Sequence, residues 1–122
     1  MAEMFDHGSV MTAKRVPVSG SAIEDAATLS WQASGVDGFW IKVLMEDAAK
    51  QIRTWLMKID PGAASASHSH DDIEQIYVLE GTFYDQEGSY EAGNYLVRAA
   101  GTEHIAGSLE GCIVLLTYSP AR

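Results

Sequence analysis

The sequence predicts an all-β domain, a sandwich or barrel of short strands. Three observations carry that prediction. Turn-forming residues recur about every 8–12 positions from Leu29 onward. The segments between them are rich in β-branched and aromatic residues, and residues 52–59 alternate in polarity with a period of two. No stretch shows the sustained 3.6-residue apolar period of an amphipathic helix.

Taken in order, residues 1–26 form an irregular N-terminal arm, and residues 27–122 the barrel domain. The arm holds Gly8, Pro17, Gly20 and many small polar residues. Ser21 followed by Glu24 has the spacing of a capping box, which opens one short helical turn through Ala27. Residues 39–45 are aromatic and aliphatic and read as a strand, with a turn over 46–50. In residues 52–59, Arg53, Trp55, Met57 and Ile59 share one face, and Thr54 and Lys58 point the other way. Pro61-Gly62 ends that strand. Residues 73–79 form the next one. Gly81 breaks it, and residues 82–84 continue to a turn over 85–88. Tyr90 and residues 94–98, 103–106 and 112–118 supply four more short strands. Cys112 falls near the start of the last, as a small buried hydrophobe.

Composition bounds the function. The chain has 122 residues, 47% of them hydrophobic, which is enough for one core and too short for two. Lys and Arg total 8 against 17 Asp and Glu, a formal charge of −9. Such a surface repels phosphate backbones and anionic lipid, so neither nucleic acid nor membrane is an expected partner. The single cysteine excludes an intrachain disulfide and any multi-cysteine zinc site. No run approaches the roughly 18 apolar residues of a membrane span. The first residues lack the basic and apolar regions of a secretory signal, so a cytoplasmic protein is expected.

The chemistry concentrates in three of the four histidines. His68 and His70 stand at i and i+2 just past a Pro-Gly turn, so on an extended strand both imidazoles leave the same face. Glu74 has the same parity and would keep its carboxylate on that face if the strand continued. His104 is distant in sequence, but in a closed barrel a neighbouring strand can carry it opposite the pair. Three imidazoles and one carboxylate suit Fe, Mn, Co, Ni, Cu or Zn. His7 lies in the arm and is expected to be solvated, as are Asp71 and Asp72 in a polar turn. Trp55 and Met57, on one strand face beside the histidine segment, are expected to line a substrate pocket. Tyr84, Tyr95 and Arg98 are its candidate polar contacts.

These residues also carry a family resemblance. Gly62, five residues, His68-Ser69-His70, three residues, Glu74, six residues and Gly81 resemble the first cupin motif at every fixed position. Gly93, five residues, Ala99-Ala100-Gly101, two residues, His104, three residues and Ser108 resemble the second. Ala99 replaces the usual Pro and Ser108 a frequent Asn. Neither position is a ligand, so these departures bear on loop rigidity. Trp31, residues 38–44, 80–93 and 110–115 resemble the cupin branch that holds the cupin half of ChrR-type anti-sigma factors and the acetylacetone-cleaving dioxygenases.

The resemblance implies a single-domain jelly-roll barrel with His68, His70, Glu74 and His104 at one divalent transition metal, iron or zinc favoured. Glu74 is either a ligand and acid–base group or a carboxylate that orients a histidine. The implied activity is a small-molecule dioxygenase acting on a chelating diketone or hydroxyketone. Two alternatives stand beside it. One is a non-catalytic metal- and ligand-binding sensor. The other is a metal-dependent isomerase or hydrolase in which Glu74 moves a proton. The arm and the sheet edges favour a homodimer. ChrR-type anti-sigma factors place a His/Cys zinc domain before the cupin, and one cysteine with a short arm does not supply it.

Overall fold

The structure, a computed structural model, describes Phe5 and residues 14–121. His7 therefore lies outside the described residues. Among the described residues seven antiparallel strands follow in order: β1 Gln32–Ala33, β2 Phe39–Asp47, β3 Ile52–Ile59, β4 Ile73–Asp85, β5 Gly88–Glu91, β6 Tyr95–Arg98 and β7 Cys112–Ser119. They hydrogen-bond in the sequence β1-β2-β3-β7-β4-β5, with β6 also pairing β4. Isolated bridges Ala64–Gly107 and His68–His104 join segments between the strands, Tyr84–Gly107 ties one of them to β4, and together they roll the sheet into a barrel. The only helical pieces among the described residues are 3-10 turns at Ala26–Thr28 and Ala48–Lys50. No helix among them is long and apolar enough to cross a membrane.

Alternation builds the core. Phe39, Ile41 and Val43 of β2, Trp55, Met57 and Ile59 of β3, Ile76, Val78 and Phe83 of β4, and Val114, Leu116 and Tyr118 of β7 all point inward and are buried. Each apolar side chain so placed contributes about 1.5–3 kcal/mol relative to exposure. β4 is the spine. It pairs β7 through Ile73–Gly81, β6 through Glu74–Tyr77 and β5 through Thr82–Asp85.

Four local expectations are corrected. Gly81 does not break β4; the strand absorbs a register shift between Val78 and Glu80 and runs on. Gly81 has φ +73°, and a Cβ there would strike the Gly111 carbonyl, so glycine lets the two chains close up at this bend. Residues 103–106 form no strand; within them only His104 makes a bridge, to His68. The short turn near residue 26 is capped by Asp25, whose Oδ1 accepts from the Ala27 amide, and not by Ser21. β1 was not foreseen, and β2 extends two residues further than expected, to Asp47. At the two positions that depart from the cupin motif, Ser108 does tie down backbone: its hydroxyl donates to the Thr82 carbonyl and accepts from the Gly111 amide.

Candidate metal centre

Backbone pairing brings His68 and His104 together. The His68 amide donates to the His104 carbonyl at 2.9 Å, and the His104 amide donates back at 2.8 Å. The imidazoles therefore stand side by side, ring centroids 4.3 Å apart. The Nδ1 of His68 lies 3.0 Å from the Ala66 carbonyl and that of His104 2.9 Å from the Thr102 carbonyl. A carbonyl only accepts, so both Nδ1 atoms carry the proton and both Nε2 lone pairs are free. Burial pushes the His104 pKa below its ordinary value, which favours the neutral, ligating form.

His70 reaches the same point by a different route. No strand continues from His68; the chain bends at Asp71 and Asp72, and β4 begins at Ile73. The His70 carbonyl accepts from the Gly101 amide at 2.7 Å, which pins this segment to the loop before His104. Its ring stands edge-on to Tyr118, centroids 5.0 Å apart. Both ring nitrogens are buried without a hydrogen-bond partner. One ligand atom from each of His68, His70 and His104 lies within 4.8 Å of the others. Nitrogens about 2.0–2.1 Å from a shared tetrahedral ion lie roughly 3.3 Å apart, so the triad fits a transition metal after a small inward movement.

Glu74 arrives on β4, and its side chain is 5% exposed. Its Oε1 lies 3.6 Å from His104 Nε2 and its Oε2 3.9 Å from His70 Nε2. The same Oε1 accepts from Arg98 Nε at 3.0 Å, because Glu74 and Arg98 face each other across the β4–β6 pair. Arg98 Nη1 in turn donates to Asp85 Oδ2 at 3.0 Å. Burial alone would raise the Asp85 pKa. The Glu87 amide, the Tyr90 hydroxyl and Arg98 overcome that and hold it below the usual carboxylate value. Burial likewise opposes the charge on Arg98, and the carboxylates of Glu74 and Asp85 raise its pKa nonetheless.

His68, His104 and Glu74 open into a cavity of about 20 Å³, walled by Met57, Ile76, Phe83, Leu116, Arg98 and Phe5 among others. That space holds about one water-sized guest. Of the residues proposed from sequence for the pocket, Met57 and Arg98 line it. Trp55 is core beside it, its indole N–H donating to Glu46. Tyr84 and Tyr95 do not line it. Tyr84 points to the face of β4 opposite Phe83 and packs on Gly107, and Tyr95 lies outside the barrel, donating to Gln75. Phe5 was not foreseen: it is buried against Phe39 and His68, and nothing in the arm's composition marks it. Asp72 pairs with Arg53 at 3.3 Å rather than facing the triad. A wider surface cleft of about 280 Å³ beside Glu46, Arg53 and Asp72 contains none of the histidines.

The family described as the ChrR cupin-like domain matches residues 19–122. The chain belongs to that family. Solved cupins share its fold. An RmlC-like cupin from Shewanella frigidimarina aligns with TM-score 0.72 and 23% identity over 84% of this chain and 94% of its own. The complex of Rhodobacter sphaeroides SigE with the anti-sigma factor ChrR aligns with TM-score 0.67 and 24% identity over 78% of this chain. Only 51% of that matched chain is covered. A candidate acetylacetone dioxygenase from Methylibium petroleiphilum aligns with TM-score 0.71 and 14% identity over 84% of this chain and 81% of its own. No curated protein matches the sequence. At these identities the neighbours establish the cupin fold.

Proposed function

We propose that this ChrR-like cupin is a metal-dependent enzyme, a dioxygenase acting on a small substrate that chelates through two oxygens in the manner of a diketone or hydroxyketone. The observation that carries the metal is His70: a buried imidazole with both nitrogens unpartnered, facing two imidazoles already tautomerised to offer Nε2. A divalent ion held there, iron or zinc first among Fe, Mn, Co, Ni, Cu and Zn, supplies Lewis-acid charge for an enolate and, as iron, electrons for O₂.

The protein's own residues do the rest. The three imidazoles donate lone pairs without adding charge. Met57, Ile76, Phe83 and Leu116 keep water from the reacting atoms. Glu74 Oε2 is the oxygen not engaged by Arg98, so it is the atom that completes the ligand set or accepts a substrate proton. A substrate larger than one water takes the space now filled by the Phe5 ring. The acetylacetone dioxygenase likeness supports the reaction class at the level of fold.

The test is elemental analysis of protein purified without added metal, followed by O₂ consumption of the iron-loaded protein with a panel of diketones and hydroxyketones. Stoichiometric metal and substrate-dependent O₂ uptake are expected. Metal with turnover but no O₂ uptake would move the protein to the isomerase or hydrolase class. The ChrR family match favours one second reading, a non-catalytic sensor. Tight zinc retention with no turnover would select it. We further propose a homodimer formed on the outer sheet face, where Tyr77, Leu79, Tyr95 and Val97 are exposed and uncharged. A monomer mass by size exclusion with light scattering would exclude it.

A further inference from the structure

Arg98 is a buried cation in the cavity wall whose donors are not all used. Its Nε donates to Glu74 and its Nη1 to Asp85, both at 3.0 Å. Its Nη2, also buried, has no hydrogen-bond partner. Those two N–H groups belong to a charged side chain 5% exposed, where an unmade hydrogen bond is most costly. Asp85 does not relieve it, because Asp85 Oδ1 already accepts from the Glu87 and Gly88 amides and the Tyr90 hydroxyl. Nor is Arg98 remote from the histidines. Glu74 Oε1 touches Arg98 on one side and lies 3.6 Å from His104 Nε2 on the other. A ligand held at the triad is within reach of the guanidinium.

Charge points the same way. Two buried carboxylates against one guanidinium leave the inner site one negative charge, and a divalent ion turns this to one positive. A carboxylate brings the site to neutrality as it enters, whereas a neutral ketone does so only after losing a proton to become an enolate. We propose that Arg98 is the specificity residue of this cavity: its Nη2 donates to the carboxylate of a small α-keto or α-hydroxy acid whose other oxygen faces the histidines. The inference rests on the metal reading above and favours, among two-oxygen chelators, the carboxylate members over their neutral ketone counterparts.

The test uses the full chain loaded with zinc and two matched probe pairs, pyruvate against 2,3-butanedione and glycolate against hydroxyacetone. Each pair exchanges a carboxylate oxygen for a methyl group. Because a carboxylate also prefers the metal itself, the informative quantity is the acid-to-ketone affinity ratio in wild type compared with Arg98→Lys. The lysine keeps the positive charge but loses the planar fork that serves Glu74, Asp85 and a ligand at once. The ratio should fall roughly 10- to 100-fold at unchanged zinc content. An unchanged ratio, or an equal loss for acid and ketone, overturns the proposal and leaves the metal centre intact. Wild-type protein that binds no zinc would instead overturn the metal reading beneath it. Should Arg98→Lys fail to fold, wild-type protein with ¹⁵N-labelled arginine gives the answer. Pyruvate should shift the Arg98 Nη resonances and butanedione should not; saturation with pyruvate without a shift overturns the proposal.

Discussion

His70 shows how single residues divide stability from function. An imidazole buried with neither nitrogen satisfied costs about 1–3 kcal/mol, and a metal ion recovers it. His70→Ala should therefore leave a folded β protein, as stable as wild type without metal or more so, while zinc content measured after dialysis drops several-fold or more. His68→Ala and His104→Ala should lose metal equally, and Glu74→Gln should lose less, because Arg98 already claims one of its oxygens. Greater loss in Glu74→Gln than in the histidine variants would reverse that ranking. Asp85 gives the opposite case, a residue held for the fold. Its pKa is lowered in the native state, so the folded protein binds fewer protons than the unfolded chain just below the ordinary value of 3.8. The stabilisation it provides is complete above that value and is lost as pH falls through the lowered one. Asp85→Asn should cost about 1–3 kcal/mol in urea melts at pH 7 and at pH 5 alike. The gap between variant and wild type should narrow only below about pH 3.8. A gap that closes between pH 7 and pH 5 would show that Asp85 is not the group responsible.

At the scale of elements, what was legible in the sequence was what local periodicity encodes. The inward face of β3, the boundaries of β7 and the turn over 85–88 follow from alternation and turn chemistry. His68, His70, Glu74 and His104, picked out by their spacing, lie close together in the fold, although Glu74 arrives on a separate strand rather than on a continuation of the histidine segment. What was not legible depends on register between distant strands. Nothing near Arg98 in sequence says that it faces Glu74, because that contact is set by the β4–β6 pairing across 24 residues. Tyr95 misled for the same reason: one step of register decides whether a strand residue faces the cavity or solvent. Gly81 was read as a terminator, yet it is the residue that lets β4 pass the start of β7. Gly81→Ala meets both a positive φ and the Gly111 carbonyl, so it should destabilise by about 1–3 kcal/mol. Far-UV circular dichroism during thermal unfolding reads this as a fall of several degrees in Tm. An unchanged Tm would mean that the β4–β7 approach yields to a methyl group without cost.

Across the whole molecule, charge and site act on different ligands in different directions. The net charge of −9 surrounds a small inner site that carries one negative charge before a metal binds. A divalent cation approaching from solvent meets attraction at long range and neutral imidazoles at the end of its path. That long-range field is screened within about 8 Å at physiological ionic strength, whereas contacts inside the barrel are not. The rate of metal capture should therefore fall several-fold between roughly 10 mM and 150 mM salt, with little change in its release rate. Stopped-flow mixing of the apo protein with Co²⁺, followed by its d–d absorption, measures both. A small carboxylate added to the zinc form faces the reverse situation, repelled by the surface and held by Arg98 once inside, so its association rate should rise over the same salt range. Capture rates for the two ions that moved together with salt would mean that the surface field does not govern entry, leaving the acidic composition with no part in selecting what reaches the histidines.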